Sequence, residues 1–248
     1  MHSQLTAEES STDGYESRTV TVIDRGEPVE FRYRLLRPAM LEPETRYPVI
    51  LFLHGAGERG SDNERQLNHF PTWMTEAPLR KQHPCFLVAP QCREEHAWSG
   101  FDWQTKKAAF PERPTTDGAA AIAALEAVLA SEPAADPDRV YLTGLSMGGY
   151  GCWELAARMP ERFAAVLPIC GGADEATADR LSKLPIWCFH GEADPLVPVA
   201  LSRSMIAALK AAGGTPIFSE LPGVGHDSWT PAYRNPAVLD WLFAQRRR

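Results

Sequence analysis

Apolar residues in this chain form two kinds of run, alternating and continuous. The segments "RTVTVID" and "VEFRYRLLRP" alternate apolar and polar side chains on either side of "RGEP", which predicts a hairpin with one solvated face. Continuous apolar runs follow in "YPVILFLHG", "CFLVAPQ", "DRVYLTG", "FAAVLPICG" and "LPIWCFHG", with a weaker one in "TPIFSELPG". Such runs are typical of strands that are buried on both faces of a sheet.

Helical patterns lie between the continuous runs. The segment "TTDGAAAIAALEAVLASE" carries apolar residues at helical spacing behind a Thr or Asp N-cap, and "SMGGYGCWELAARMP", "PVALSRSMIAALKAAGG" and "NPAVLDWLFAQRR" also read as helices. This alternation predicts an α/β fold in which helices cover both faces of a mostly parallel sheet. No linker divides the chain, so we predict a flexible lead-in over residues 1–17 and one domain over 18–248.

Length and charge narrow the possible functions. The 248 residues suit one large α/β domain, and the net charge of −7 argues against binding to nucleic acid or to an anionic membrane. No apolar run approaches the ~18 residues of a membrane span, and the polar N-terminus lacks the features of a signal peptide. The sequence as it stands predicts a cytoplasmic protein, or a secreted one if a signal peptide was removed. It does not indicate an oligomeric state.

The five cysteines do not suggest a metal site. Their number is odd and their spacing is irregular, and four of them lie in or beside apolar runs. We therefore predict buried free thiols, with a disulfide between Cys85 and Cys92 as the alternative. No C-x-x-C pair is present, which argues against a zinc or redox site of that type. We expect no metal and no cofactor.

The segment "TGLSMGGYG" carries the clearest chemistry, because it lies between a predicted strand and a predicted helix. Gly144, Ser146 and Gly148 form the pattern G-x-S-x-G. A nucleophilic serine there sits on a tight, strained turn, and its neighbours two positions away come too close for a Cβ atom. The following helix directs its positive N-terminal dipole at the serine. The pattern therefore predicts a nucleophile, whereas a capping serine in a glycine-rich helix start is the alternative.

A nucleophilic serine needs a base and an orienting carboxylate. Two histidines follow it: His226 in a loop before the last helix, and His190 at the end of a strand. We favour His226 as the base and interpret His190 as a core residue. Asp194 follows that strand in a turn and is the favoured acid. Glu192 is the second choice, and Asp227 would point away from the base.

Two backbone N–H groups are expected to stabilise the oxyanion. One belongs to Met147, directly after the nucleophile. The second belongs to the turn "HGAG" after the third predicted strand, on Ala56 or Gly57, while His54 holds that turn in place. Glu58, which follows the turn, stabilises the loop or contacts substrate.

These motifs together resemble the α/β-hydrolase superfamily over residues 45–245. Within it, "HGAGERG" and "GLSMGGYG" resemble compact carboxylesterases related to dienelactone hydrolases and phospholipase/carboxylesterases, and predicted peptidases close to prolyl oligopeptidases and feruloyl or acetyl xylan esterases. The resemblance implies an eight-stranded sheet and a triad of Ser146, Asp194 and His226. Dienelactone hydrolases use cysteine where this chain has Ser146. The segment "GGADEATADRLSK" is too short and polar for a large lid.

Aromatic residues near the predicted site suggest the substrate class. Trp98 and Trp103 follow the fourth predicted strand and Trp229 follows the base, so that their rings could wall an acyl or sugar pocket. Gln91 is a candidate hydrogen-bond partner for substrate. The sequence thus predicts a serine carboxylesterase for short-chain or carbohydrate-linked esters. A serine peptidase or amidase and a non-enzymatic binding protein are the alternatives.

Overall fold

The computed structural model describes residues 14–101 and 110–247, which build one eight-stranded sheet in the order β1-β2-β4-β3-β5-β6-β7-β8. The strands are β1 (Tyr15–Asp24), β2 (Glu27–Leu36), β3 (Tyr47–Leu53), β4 (Phe86–Pro90), β5 (Ala135–Leu145), β6 (Ala165–Ile169), β7 (Trp187–Gly191) and β8 (Ile217–Leu221). The helices are α1 (Phe70–Trp73), α2 (Ala77–Gln82), α3 (Thr116–Ser131), α4 (Met147–Arg158), α5 (Ala178–Leu181), α6 (Val199–Ala211), α7 (Trp229–Tyr233) and α8 (Pro236–Phe243).

The first two strands form the predicted hairpin and pair antiparallel along their whole length. β2 also runs antiparallel to β4, whereas the pairs from β4–β3 to β7–β8 are parallel. The mostly parallel eight-stranded sheet is therefore confirmed. The first strand begins within the predicted flexible lead-in over residues 1–17. Tyr15 is the first residue of β1; its ring is buried, and its hydroxyl donates to the carbonyl of Pro71 at 2.9 Å.

Strand β3 shows why the continuous apolar runs are buried on both sides. Val49, Leu51 and Leu53 pack on the face covered by α3, α4 and α6. Ile50 and Phe52 pack on the opposite face, against α1, α7 and α8. Since helices cover both faces, every side chain along the strand is removed from water, as the run of apolar residues requires.

The parallel strands direct their carboxyl ends to one edge of the sheet, and the segments that leave this edge build the site. Between β6 and β7 the described chain forms only the short helix Glu175–Thr177 and α5, so no large lid covers the edge there. Within the described residues, no helix has both the length and the apolar character needed to cross a lipid bilayer.

Strands β6 and β7 have the fewest paired residues of any neighbouring strands in the described sheet. These strands share one register pair, Ile169 with Phe189, and an isolated bridge between Val166 and Ile186. On either side of this seam, β5–β6 and β7–β8 each pair over five positions. The seam therefore divides the carboxyl edge into a part that carries β5 and a part that carries β7 and β8.

Candidate active site

Ser146 is the single residue between β5 and α4, and its backbone conformation is strained. Its φ of 52° and ψ of −115° lie in a region that side chains other than glycine rarely adopt. A Cβ atom on Gly148 would lie 1.9 Å from the carbonyl oxygen of Leu53, and one on Gly144 would lie 2.6 Å from the same oxygen. This close approach of β3 explains why both positions flanking the serine are glycine.

The structure brings Ser146, His226 and Asp194 together from three separate loops. Nδ1 of His226 lies 2.7 Å from Oδ2 of Asp194, and Nε2 lies 3.0 Å from Oγ of Ser146. Because a carboxylate only accepts hydrogen bonds, Nδ1 carries the proton and Nε2 is left to accept from the serine hydroxyl. This arrangement can remove a proton from the hydroxyl as the oxygen attacks an electrophile.

The carboxylate of Asp194 is fixed by several donors although its side chain has no exposed surface. Oδ1 accepts from the backbone N–H groups of Leu196 at 2.9 Å and Val197 at 3.0 Å. Oδ2 faces His226 and also lies 3.3 Å from Nε2 of His190. A buried carboxylate with this many partners keeps a single orientation toward the imidazole.

The other candidates for base and acid are engaged elsewhere. His190 is fully buried, in keeping with its interpretation as a core residue. The carboxylate of Glu192 accepts from the backbone N–H of Gly223 at 3.0 Å. Asp227 turns away from the imidazole and binds both the backbone N–H and the hydroxyl of Thr230 at the start of α7.

His54 anchors the turn that follows β3. Its Nδ1 donates to the carbonyl of Gly55 at 2.6 Å, and its Nε2 accepts from the backbone N–H of Cys92 at 2.9 Å. Burial lowers the pKa of His54 to about 4, so that the ring is neutral and this tautomer is fixed. The histidine therefore holds the turn, as the sequence predicts, and is not available for proton transfer.

The expected oxyanion donors belong to the elbow, which is the tight turn at Ser146 between β5 and α4, and to the turn after β3. The backbone N–H groups of Met147 and Ala56, each the first residue of a helix, donate to no acceptor within residues 14–101 and 110–247. Gly57 is exposed. The contact between Gly148 and the end of β3 holds the two segments against each other. Two N–H groups without an acceptor in the described residues thus lie on adjoining segments, and their role as oxyanion donors stays a prediction.

Trp98 does not wall a pocket, which corrects the expectation from the sequence. Its side chain is 1% exposed, and Nε1 donates to the carbonyl of His54 at 2.9 Å. The rings of Trp98 and His54 meet edge to face with centroids 5.0 Å apart. A Cβ atom on Gly151 would lie 2.6 Å from Cβ of Trp98. Trp98 thus packs the turn after β3 onto α4.

Gln91 is also occupied by the protein itself. Its side chain is buried and accepts from the backbone N–H of Asn63 at 2.6 Å. Its amide donates to Asp62 Oδ1 at 2.8 Å and to the carbonyl of Glu58 at 3.2 Å. The expected contact with substrate is therefore wrong, because this amide is used to hold the loop over residues 58–63.

Of the two remaining tryptophans predicted at the site, the structure describes only Trp229. Trp103 lies outside the described residues. Trp229 lies beside the candidate base, with its ring edge to face against His226 at 5.3 Å between centroids. The ring also contacts His69, with centroids 5.5 Å apart, and Nε2 of His69 lies 3.8 Å from Oε1 of Glu58. His69 is not among the site residues that the sequence predicts, because it precedes the serine in a loop without a recognisable motif.

One set of described residues could in principle hold a metal ion. The possible ligand atoms of Cys170, Asp194 and His226 lie within 4.8 Å of one another. The acid and the imidazole are already hydrogen-bonded to each other, and burial raises the pKa of the Cys170 thiol to about 12. The thiol is therefore protonated and belongs to the buried core, and the set forms part of the arrangement around the serine.

A mostly parallel sheet with a serine on a strained turn after a central strand defines the class of α/β-hydrolases. Residues 91–235 match the model of the dienelactone hydrolase family, and the chain belongs to that family. It is 27% identical over 201 residues to a probable inactive carboxylesterase of Oryza sativa subsp. japonica, covering 75% of this chain and 82% of the relative. It is 28% identical over 198 residues to carboxylesterase SOBER1 of Arabidopsis thaliana, covering 71% and 82%.

Among solved structures, a thermostable esterase superposes with a TM-score of 0.85 at 39% identity. The superposition covers 95% of this chain and 64% of that esterase, so the chain spans less than two thirds of its length. The family and these relatives together place the chain among the carboxylic ester hydrolases.

Proposed function

We propose that the protein is a serine carboxylesterase that hydrolyses short-chain or carbohydrate-linked esters, of the acetyl or feruloyl type, through an acyl-enzyme. The observation that carries the proposal is the continuous chain of hydrogen bonds from Asp194 through His226 to Ser146, at 2.7 Å and 3.0 Å. The second distance is within the range in which a base acts on a hydroxyl, and the first is within the range in which a carboxylate orients that base.

In the first half of the proposed reaction, Oγ of Ser146 attacks the ester carbonyl while Nε2 of His226 takes the hydroxyl proton. Asp194 orients the imidazole and stabilises its charged form. The N–H groups of Met147 and of Ala56 or Gly57 bind the oxyanion of the tetrahedral intermediate. His226 then gives its proton to the leaving alcohol, and the acyl group remains on Ser146.

In the second half, a water molecule loses a proton to His226 and attacks the acyl carbon. Collapse of the second tetrahedral intermediate returns the proton to Oγ of Ser146 and releases the acid. Every group in these steps belongs to the chain or to water. The absence of a large lid over the described carboxyl edge supports dissolved short-chain esters as substrates.

The test is a rate profile on p-nitrophenyl esters from acetate to dodecanoate, run with the variant Ser146→Ala. We expect the highest kcat/KM on short acyl chains and a loss in kcat on the order of 10⁴-fold or more in the variant. Ser61→Ala, which changes an exposed serine in a nearby loop, is the matched control and should keep wild-type rates.

Labelling gives a second measurement of the same proposal. A fluorophosphonate should modify wild-type protein at Ser146 and leave Ser146→Ala unlabelled. Aminoacyl amides assayed beside matched esters should react far more slowly than the esters. Full activity in Ser146→Ala, or a label on another residue, would contradict the proposed nucleophile, and faster cleavage of the amides would favour a peptidase.

A further inference from the structure

The chemistry of ester cleavage fixes which part of the substrate adjoins His226. The protonated Nε2 must reach the oxygen of the departing alcohol when the tetrahedral intermediate collapses. The alcohol part of the ester therefore lies beside this imidazole. Side chains that adjoin the imidazole on its open side are placed to contact the alcohol rather than the acyl group.

Trp229 adjoins this imidazole and is partly exposed. It is half-buried at the start of α7, three positions after His226, and the two rings meet at an interplanar angle of 86°. Its Nε1 is buried and has no acceptor among the described residues. The orientation of the ring is therefore set by packing, and its partly exposed surface forms an apolar wall next to the base.

His69 and Glu58 add polar groups next to this wall. The ring of His69 packs on Trp229, with 34% of its side chain exposed, and Nε2 lies 3.8 Å from Oε1 of Glu58. His69 adopts φ of 63° and ψ of −120° directly before α1, which is unusual for a residue other than glycine. The fold thus holds an imidazole and a carboxylate beside the tryptophan at the expense of local backbone strain.

The charge of Glu58 sets what this cluster can bind. Burial acts to raise the pKa of its carboxyl group, but contacts with His69 and with the backbone N–H of Gly55 outweigh it and hold the pKa below its usual range. Glu58 is therefore ionised at neutral pH and can only accept hydrogen bonds. Hydroxyl groups are natural donors to such a carboxylate, and these bonds are stronger than those between neutral groups.

We propose that Trp229, His69 and Glu58 form a subsite for a hydroxylated alcohol, such as a sugar, on the leaving-group side of the site. The tryptophan covers an apolar C–H face of the alcohol, and the carboxylate and imidazole bind its hydroxyl groups. This inference rests on the proposed esterase function and assigns its alcohol specificity.

The test compares two acetates that share the acyl group and a six-membered ring: a methyl xyloside with one acetyl group, and cyclohexyl acetate. The measured quantity is the ratio of their kcat/KM values. We expect Glu58→Gln, which keeps the shape and removes the charge, to lower this ratio at least tenfold, mainly through a higher KM for the xyloside. Trp229→Leu should lower the ratio as well.

Glu64→Gln is the matched control, because Glu64 is an exposed acid in the same loop region. It should give the wild-type ratio. Circular dichroism melting of each variant establishes folding, and Glu58→Gln alone decides the test if Trp229→Leu does not fold. An unchanged ratio in folded Glu58→Gln would overturn the subsite while leaving the esterase intact. Failure of the wild type to cleave both acetates and the p-nitrophenyl esters would instead overturn the esterase proposal, and the subsite with it.

Discussion

Nε2 of His190 lies 3.3 Å from Oδ2 of Asp194, and neither side chain has any exposed surface. The same nitrogen lies 2.9 Å from the carbonyl oxygen of Val197, while Nδ1 lies 2.8 Å from Oγ of Ser202. Because a carbonyl only accepts, Nε2 carries the proton, and burial lowers the pKa of His190, which keeps the ring neutral. His190 therefore acts as a positioning residue that ties the loop carrying Asp194 to α6.

Replacing His190 by Phe should weaken both the fold and the reaction. The substitution leaves the carbonyl of Val197 without its donor, at about 1–3 kcal/mol for a buried group. It also removes one partner of Ser202, whose hydroxyl still lies 3.1 Å from the carbonyl oxygen of Gly171. We expect a lower free energy of unfolding in urea and a fall in kcat larger than any change in KM, because the acid loop loses its anchor. His190→Gln retains an N–H donor and should recover part of both. Wild-type stability and kcat in His190→Phe would contradict this role.

His54 should make the fold sensitive to acid. Its pKa in the folded protein is about 4, below the value of about 6.5 for an exposed histidine. The unfolded chain therefore binds the proton more readily, so the stabilisation is fully present above about pH 6.5 and is lost as the pH falls toward 4. The difference corresponds to roughly 3 kcal/mol.

The measurement is urea unfolding of wild type and His54→Asn between pH 7 and 4. The variant should be less stable at pH 7 and should lose roughly 3 kcal/mol less on acidification. A residual slope is expected, because burial also lowers the pKa of His83 and His190. Identical slopes in the two proteins would contradict the buried neutral state of His54.

Gly148→Ala should disrupt the elbow. The added methyl group would lie 1.9 Å from a backbone oxygen of Leu53, which cannot move without shifting β3. We expect a loss of about 3 kcal/mol or more in the free energy of unfolding, together with loss of activity. Gly225→Ala has open space around its Cβ position and should change stability by less than about 0.5 kcal/mol. Equal stabilities of the two variants would argue against the close contact.

Trp98→Phe distinguishes packing from substrate contact. The variant loses the bond from Nε1 to the carbonyl of His54, at about 1–3 kcal/mol if that carbonyl stays buried without a partner. Because Trp98 holds the turn after β3, kcat/KM should fall by a similar factor for every acyl chain length. A fall confined to long or bulky acyl groups would show that the ring contacts substrate after all.

The helices, the strands and the turn at Ser146 could be predicted, because each depends on residues that are close together in the sequence. Continuous apolar runs mark strands that are buried on both faces, and the glycines around Ser146 reflect the space that one turn allows. Asp194 and His226 could be chosen from chain order and from their places after strands. These inferences use only the direction in which a parallel sheet sends its loops.

The errors concern how loops fold back, which local pattern does not determine. Gln91 and Trp98 follow a strand that ends at the correct edge, yet both turn inward, because the loop over residues 54–63 needs partners for its polar groups. Conversely, His69 reaches Trp229 across a long separation in sequence. Such contacts depend on tertiary packing rather than on residues nearby in the chain.

Because β6 and β7 pair over so few residues, the hydrogen bond between His226 and Ser146 also links two parts of the sheet. Ser146 belongs to the half of the sheet that carries β5, whereas Asp194 and His226 belong to the half that carries β7 and β8. The three candidate catalytic residues therefore lie on both sides of the strand pair with the fewest paired positions in the described sheet. A covalent adduct on Ser146 that also binds His226 would link these two parts of the sheet. Amide hydrogen exchange in β7 and β8 should therefore slow when the adduct forms.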